Sequence, residues 1–171
     1  MTATDTQPPS PRTRIHRVAR RGHYDRATLH AIVDAAYVCH LAFADEYGVH
    51  CIPTACWREG DHLYIHGSNG SRMLKLATTG AQVCVTITHL DGLVLARSAF
   101  HHSMNYRSAV IYGCFEAVEG PAKAAALDAL YHRKCVLNQI IRDGQFRKEQ
   151  LLRDIKQIDH NIADAEKRLS P

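Results

Sequence analysis

Eight consecutive residues, His66-Gly67-Ser68-Asn69-Gly70-Ser71-Arg72-Met73, combine residue types that can hold a phosphate. Small residues let the backbone approach a ligand closely, and Ser68 and Ser71 can donate hydroxyl hydrogens. Arg72 falls in the first turn of an expected helix, where free amides and the helix dipole favour an anion. The spacing is not that of a Walker loop, whose glycines stand farther apart and are followed by Lys-Ser/Thr. A turn with a helix cap uses the same residue types, so the octapeptide alone leaves both readings open.

The elements that must position this stretch are legible on both sides. Asp25 can cap a helix on which Leu29, Ile32, Val33 and Ala36 recur on one face, ending near Tyr37. The period then changes. Residues 38–44, 49–57 and 62–66 read as strands joined by hairpin-type separators at 45–48 and 58–61. Pro53 lies inside the second strand, which makes that strand an edge, bulges it, or leaves its backbone free to face a ligand. Residues 72–79 make a short helix that Gly80 can terminate. Residues 81–88 form an apolar strand, Leu90-Asp91-Gly92 turns the chain toward a short strand at 93–96, and 98–105 have no period. Residues 106–118 are the longest strand candidate, with Gly113 a bulge or bend. Pro121 fits the first turn of a helix running to Ile141, which Asp143-Gly144 breaks. Leu151, Ile155, Ile158, Ile162, Ala165 and Leu169 then form an a/d seam that should pack on the body or on a partner's copy. The reading is mainly β with flanking helices: about six antiparallel strands in a barrel or sandwich, then C-terminal helices.

Composition narrows the class. The chain of 171 residues is 46% hydrophobic and 22% charged, ordinary for a soluble domain with a real core. No apolar run reaches the roughly 20 residues that span a bilayer, and no signal-peptide segment opens the chain, so a cytoplasmic protein without a membrane partner is expected. The six cysteines show no Cys-x-x-Cys pair and read as small core residues, not as a disulfide framework or a metal site. The net charge of +4 sits entirely in residues 1–26, with six arginines against Asp5 and Asp25. A solvated arm, disordered over 1–13, is the expectation in preference to a nucleic-acid contact.

Four segments together resemble a known family. Ile52-Pro53-Thr54, Leu63-Tyr64-Ile65-His66-Gly67-Ser68 with Ser71-Arg72, Val83-Cys84-Val85-Thr86, and Asn105-Tyr106-Arg107-Ser108 through Gly113 are similar, in order and spacing, to the pyridoxamine-phosphate-oxidase-like split barrels that bind flavin. The branch resembled is the one with the nitroimidazole-resistance proteins. The resemblance covers residues 14–120, leaving 121–171 as a separate C-terminal helical segment. It implies a six-stranded split β-barrel that forms a homodimer with FMN at the subunit interface. Ile52, Pro53 and Thr54 would line the flavin ring, His66, Gly67, Ser68, Ser71 and Arg72 the phosphate, and Tyr106, Arg107 and Ser108 would close the site. Read as residues alone, Arg107 is also compatible with a surface strand and Tyr106 with a core. Met73 stands where the vitamin-oxidising members often carry a second cation. No pyridoxal-binding motif follows residue 122, so pyridoxamine phosphate is not the expected substrate.

Two further readings keep the fold or leave it. His101-His102 could ligate a metal or haem, as in haem-binding relatives, although adjacent histidines on extended chain point to opposite sides and do not chelate one ion easily; a loop position near the flavin, with one His over the ring and one structural, is the expectation. His89 before Asp91 could form an orienting pair, but no Ser or Cys nucleophile is placed with it, and the sequence presents no hydrolase triad. The leading expectation is an FMN flavoprotein passing electrons or a hydride from a reduced nicotinamide to a small acceptor, nitroaromatic or quinone-like, with no catalytic side chain named because the flavin carries the chemistry. The alternatives are haem or a deazaflavin in the same fold, and a non-catalytic binding or regulatory protein.

Overall fold

Alternation of apolar side chains over Cys39, Leu41 and Phe43, and over Val83, Val85 and Ile87, gives two strands one buried face each, and these faces coincide because Leu41 is paired with Val85. The computed structural model describes residues 7–68 and 70–169, with backbone alone for Ala77 and residues 159–169. It divides into two compact units, Met1–Val118 and Glu119–Pro171.

The first unit is an antiparallel sheet of β1 (Val38–Asp45), β2 (Gly48–Glu59), β3 (His62–His66), β4 (Val83–Val94) and β5 (Ser103–Gly113), in the order β3-β2-β1-β4-β5. Helix α1 (Arg26–Asp34) begins where the Asp25 carboxylate accepts the Thr28 amide at 2.8 Å. That bond satisfies a donor left free at the helix start and holds the Asp25 carboxyl below its ordinary range. Ile32, Val33 and Ala36 enter one core with Cys39, Leu41, Phe43, Cys56, Met73, Val83, Val85, Ile87 and Ala109. Full burial of a side chain such as Ile32 is worth roughly 1.5–3 kcal/mol. Helix α2 (Arg72–Ala77) contributes Met73 to this core, so the helix is fixed from its second residue.

Several expectations need correction. The sheet has five strands among the described residues, where the sequence reading counts six, because Leu90-Asp91-Gly92 is no turn: the register slips between Leu90 and Gly92 and β4 continues to Val94, opposite Ser103. A bulge absorbs the extra residue without ending the pairing. For the same reason β5 begins at Ser103, inside the stretch read as aperiodic, and it stops at Gly113 instead of bending there. Helix α1 ends at Asp34, short of Tyr37.

Of the six cysteines, Cys39 and Cys56 are buried, Cys84 is half-buried, and Cys51, Cys114 and Cys135 are exposed. The Cys39 thiol is pushed upward by its hydrogen bond with Cys56 and by burial.

The second unit is one helix, α3 (Gly120–Leu169). It runs through Asp143-Gly144 without a break, since a single glycine costs a helix only about 1 kcal/mol against alanine. Leu151, Ile155 and Ile158 of the expected seam are exposed, and the side chains of Ile162, Ala165 and Leu169 lie outside the described residues.

Residues 1–6 of the expected disordered arm also lie outside them. Pro11–Thr13 form a 3-10 turn in which Thr13 Oγ1 accepts the Ser10 amide at 3.2 Å and donates to the Ser10 carbonyl at 2.9 Å. Arg12 rests over the Tyr112 ring of β5, 4.1 Å from its centroid. No helix among the described residues is long and apolar enough to cross a membrane.

Candidate functional site

Strand β3 is short, and its length creates the corner in which most of the expected site residues meet. It pairs with β2 only over Ala55–Glu59, whereas β1 pairs with β2 from Gly48 through Ala55. The outer edge of Ile52, Pro53 and Thr54 therefore has no strand beside it among the described residues. Proline has no N–H to lose there, which explains how Pro53 sits opposite His40 inside a paired strand. The Thr54 hydroxyl donates to the His66 carbonyl at 2.9 Å and joins this open edge to the start of the loop 66–71.

Within that loop much of the backbone is already engaged. Ser68 Oγ accepts the Gly70 amide at 3.3 Å, and the Ser68 carbonyl accepts the Ser71 amide at 2.8 Å. Ser71 is the N-cap of α2, its Oγ accepting the Leu74 amide at 3.1 Å. Gly67 is closely packed: a Cβ there would come within 3.3 Å of the ends of the Met73 and Leu74 side chains, which would have to give way. Asn69 lies outside the described residues. The turn-and-cap reading of the octapeptide is thus physically present. Among the described residues, an anion could still meet the Arg72 guanidinium, the Ser71 hydroxyl hydrogen, the exposed Ser68 and the first-turn amides of α2.

Arg72 does not stand alone. Its side chain, 56% exposed, reaches back to the β1–β2 turn, with Nη1 3.6 Å from Asp45 Oδ2 and Cζ 5.1 Å from the centroid of the Tyr47 ring. Asp45 is itself held: its Oδ1 accepts the Tyr47 amide at 2.8 Å and faces His50 Nε2 at 2.8 Å, and the His50 ring stacks on Phe43. Burial raises the Asp45 carboxyl, but the bonds from His50 and the Tyr47 amide and the Arg72 charge outweigh it, leaving the group below the ordinary carboxylate range. Asp45, Tyr47 and His50 were not among the sequence candidates. The turn 45–48 reads only as a hairpin separator, and Arg72 lies far along the chain from it.

The remaining candidates lie elsewhere. Tyr106, Arg107 and Ser108 are exposed on β5, opposite Leu90, His89 and Thr88 of β4, and two strands separate β5 from β2. Arg107 is engaged in a forked pair with Asp91, Nε to Oδ2 and Nη2 to Oδ1 both at 2.9 Å. That pair lowers the Asp91 carboxyl and raises the Arg107 guanidinium. His89 Nε2 lies 2.9 Å from the Ile32 carbonyl, so it is tied to α1 and not to Asp91 as an orienting pair. His102 accepts the Ala96 amide through Nδ1 at 3.1 Å. Among the described residues no group of three or more His, Cys, Asp or Glu side chains gathers as a metal site.

A family model described as pyridoxamine 5'-phosphate oxidase matches residues 25–154 of this sheet-and-helix chain. The chain belongs to the pyridoxamine 5'-phosphate oxidase family. The match runs past residue 120 into α3, farther than the resemblance over 14–120.

Solved structures similar to this family member include the FAD and haem binding protein from Mycobacterium smegmatis, 39% identical with a TM-score of 0.60, over 64% of this chain and 53% of that one. A flavocytochrome from Azotobacter vinelandii is 35% identical with a TM-score of 0.64, over 76% of this chain and 58% of that one. A putative 5-nitroimidazole antibiotic resistance protein from Bacteroides thetaiotaomicron is 25% identical with a TM-score of 0.53, over 63% and 65%. The chain thus spans little more than half the length of the first two proteins. A comparison with curated proteins finds no match.

Proposed function

We propose that this chain is a homodimeric, FMN-binding flavoprotein of the cytoplasm that passes electrons or a hydride from a reduced nicotinamide to a small acceptor, nitroaromatic or quinone-like. The observation that carries the reading is the corner where the open edge of Ile52, Pro53 and Thr54 is joined through His66 to the loop that ends in Ser71 and Arg72. A flavin nucleotide needs such a donor set: an apolar strand with unpaired backbone for the ring, and hydroxyls and a forked cation for the phosphate. The two proteins named for a flavin or as a flavocytochrome, at 39% and 35% identity, support it.

A bound flavin supplies hydride and one-electron transfer. The chain's own residues bind and orient: Arg72 and Ser71 hold the phosphate, Gly67 and Ser68 shape the loop, and the open backbone edge of Ile52, Pro53 and Thr54 meets the polar edge of the ring. Tyr106, Arg107 and Ser108 close the site from a second copy of the chain.

The absorption spectrum of the purified protein tests the cofactor, and oxidation of NADH or NADPH with a nitroaromatic or quinone acceptor tests the reaction. A flavin spectrum with turnover is expected. A flavin spectrum without turnover for any acceptor would leave a binding or regulatory protein.

The names of the same two structures favour haem as the second reading, and a Soret band that survives dialysis would establish it in place of the first. His102 is a poor axial ligand as it stands, because accepting a hydrogen bond at Nδ1 leaves the proton of the neutral ring on Nε2.

A further inference from the structure

We propose that Tyr47, in the β1–β2 turn, is a positioning residue that makes the site select flavins bearing a phosphate, by holding Arg72 in place. The inference rests on the reading of Arg72 as the phosphate cation. Tyr47 is 73% exposed, so its ring adds little to the core, and a large aromatic side chain is not required by a hairpin turn. Its ring nevertheless faces the Arg72 guanidinium at 5.1 Å, within the distance at which an aromatic face attracts a cation. The backbone beneath the ring is fixed, because the Tyr47 amide donates to Asp45 Oδ1 at 2.8 Å and Asp45 is held in turn by His50. Arg72 is therefore braced on two sides, by a carboxylate 3.6 Å away and by a ring face.

An exposed arginine samples many rotamers, and closing it on a phosphate costs that freedom at the moment of binding. Stacking removes part of the freedom beforehand and leaves the remaining N–H groups of the fork to donate. Tyr47 acts through Arg72, so its effect must vanish for a ligand without a phosphate.

The test is fluorescence titration of the full-length protein with FMN and with riboflavin, which carries the same ring and no phosphate. Tyr47→Ala should weaken FMN by about two- to fivefold, the range of an exposed cation–π contact, and leave riboflavin unchanged. Tyr47→Phe, which keeps the ring face, should restore FMN binding. In an Arg72→Ala background Tyr47→Ala should cost nothing more. If Tyr47→Ala fails to fold, Tyr47→Leu keeps the bulk of the turn without the aromatic face and takes its place. Equal losses for FMN and riboflavin, failure of Tyr47→Phe to rescue, or a full Tyr47 effect without Arg72 would overturn the proposal. A ratio of FMN to riboflavin affinity that Arg72→Ala does not move, or no FMN binding by the wild type, would instead overturn the reading on which it rests.

Discussion

Ser71 has two roles at one hydroxyl, and they separate by substitution. Its oxygen caps α2, while its hydrogen is proposed to meet the phosphate. Ser71→Ala should lose the cap, about 1 kcal/mol of stability, together with FMN affinity. Ser71→Asp caps as well as serine but places a carboxylate where the phosphate is proposed to bind. Its melting temperature should stay near that of the wild type while FMN affinity falls by at least tenfold. Retained FMN binding in Ser71→Asp would remove the phosphate from this loop. Arg107 and Asp91 give a second residue-scale test. The folded-state carboxyl of Asp91 is lowered, so the pair stabilises above the unfolded carboxylate value near 4, and the contribution is lost as pH falls through the folded one. The melting-temperature gap between wild type and Asp91→Asn should therefore be constant from pH 5 to 8 and close below about pH 4. A gap that persists in acid would mean that the pair does not hold in solution.

At the scale of elements, local chemistry was legible and long-range pairing was not. The hairpins of β1 with β2 and β2 with β3 are visible because short strand-like runs flank turns in which glycines with positive φ, Gly48 and Gly60, stand. The Asp25 cap and the Ser71–Arg72 helix start are visible for the same local reason. Leu90-Asp91-Gly92 is misread because a bulge and a turn use the same residues, and only the partner strand, more than ten residues away, decides between them. Of the site, the loop 66–71 and the strand 52–54 were read from sequence, but the brace of Asp45, Tyr47 and His50 on Arg72 was not, since no periodic pattern links a turn to a later helix. Gly144 was misread in the other direction, as a breaker. In a continuous helix with open space around its Cα, Gly144→Ala should raise the stability of the helical unit by about 1 kcal/mol, read by thermal circular dichroism. Destabilisation would show that the chain bends at residue 144 in solution.

At the scale of the molecule, the face of the sheet turned away from α1 argues for a second copy. Cross-strand partners share a face, so Val38, Pro53, Leu90, Tyr106 and Val110 lie together opposite the core, and all are exposed, Leu90 at 62%. His40, Thr86, Thr88 and Ser108 share this face, which is therefore mixed, and its exposed apolar members are what a second copy would cover. The same arithmetic of strands bears on the site. With β1 and β4 between them, β2 and β5 stand three spacings apart, roughly 14 Å in a flat sheet, so Arg72 and Arg107 of one chain do not converge through β-pairing. In a twofold dimer the β5 residues of one copy can meet the β2 corner of the other, and each site is then composite. Complementation measures this. Arg72→Ala and Arg107→Ala should each bind FMN weakly as homodimers. Co-expressed in equal amounts, they form heterodimers in which one site carries both substitutions and the other carries neither, so about a quarter of all sites should regain wild-type affinity. Sites built within one chain would regain none, because every chain would still carry one of the two substitutions. Leu90→Asp supplies the independent arm: a charge on the exposed face should shift sedimentation toward the monomer and lower FMN affinity together, whereas a monomer that retains FMN would place the whole site in a single copy.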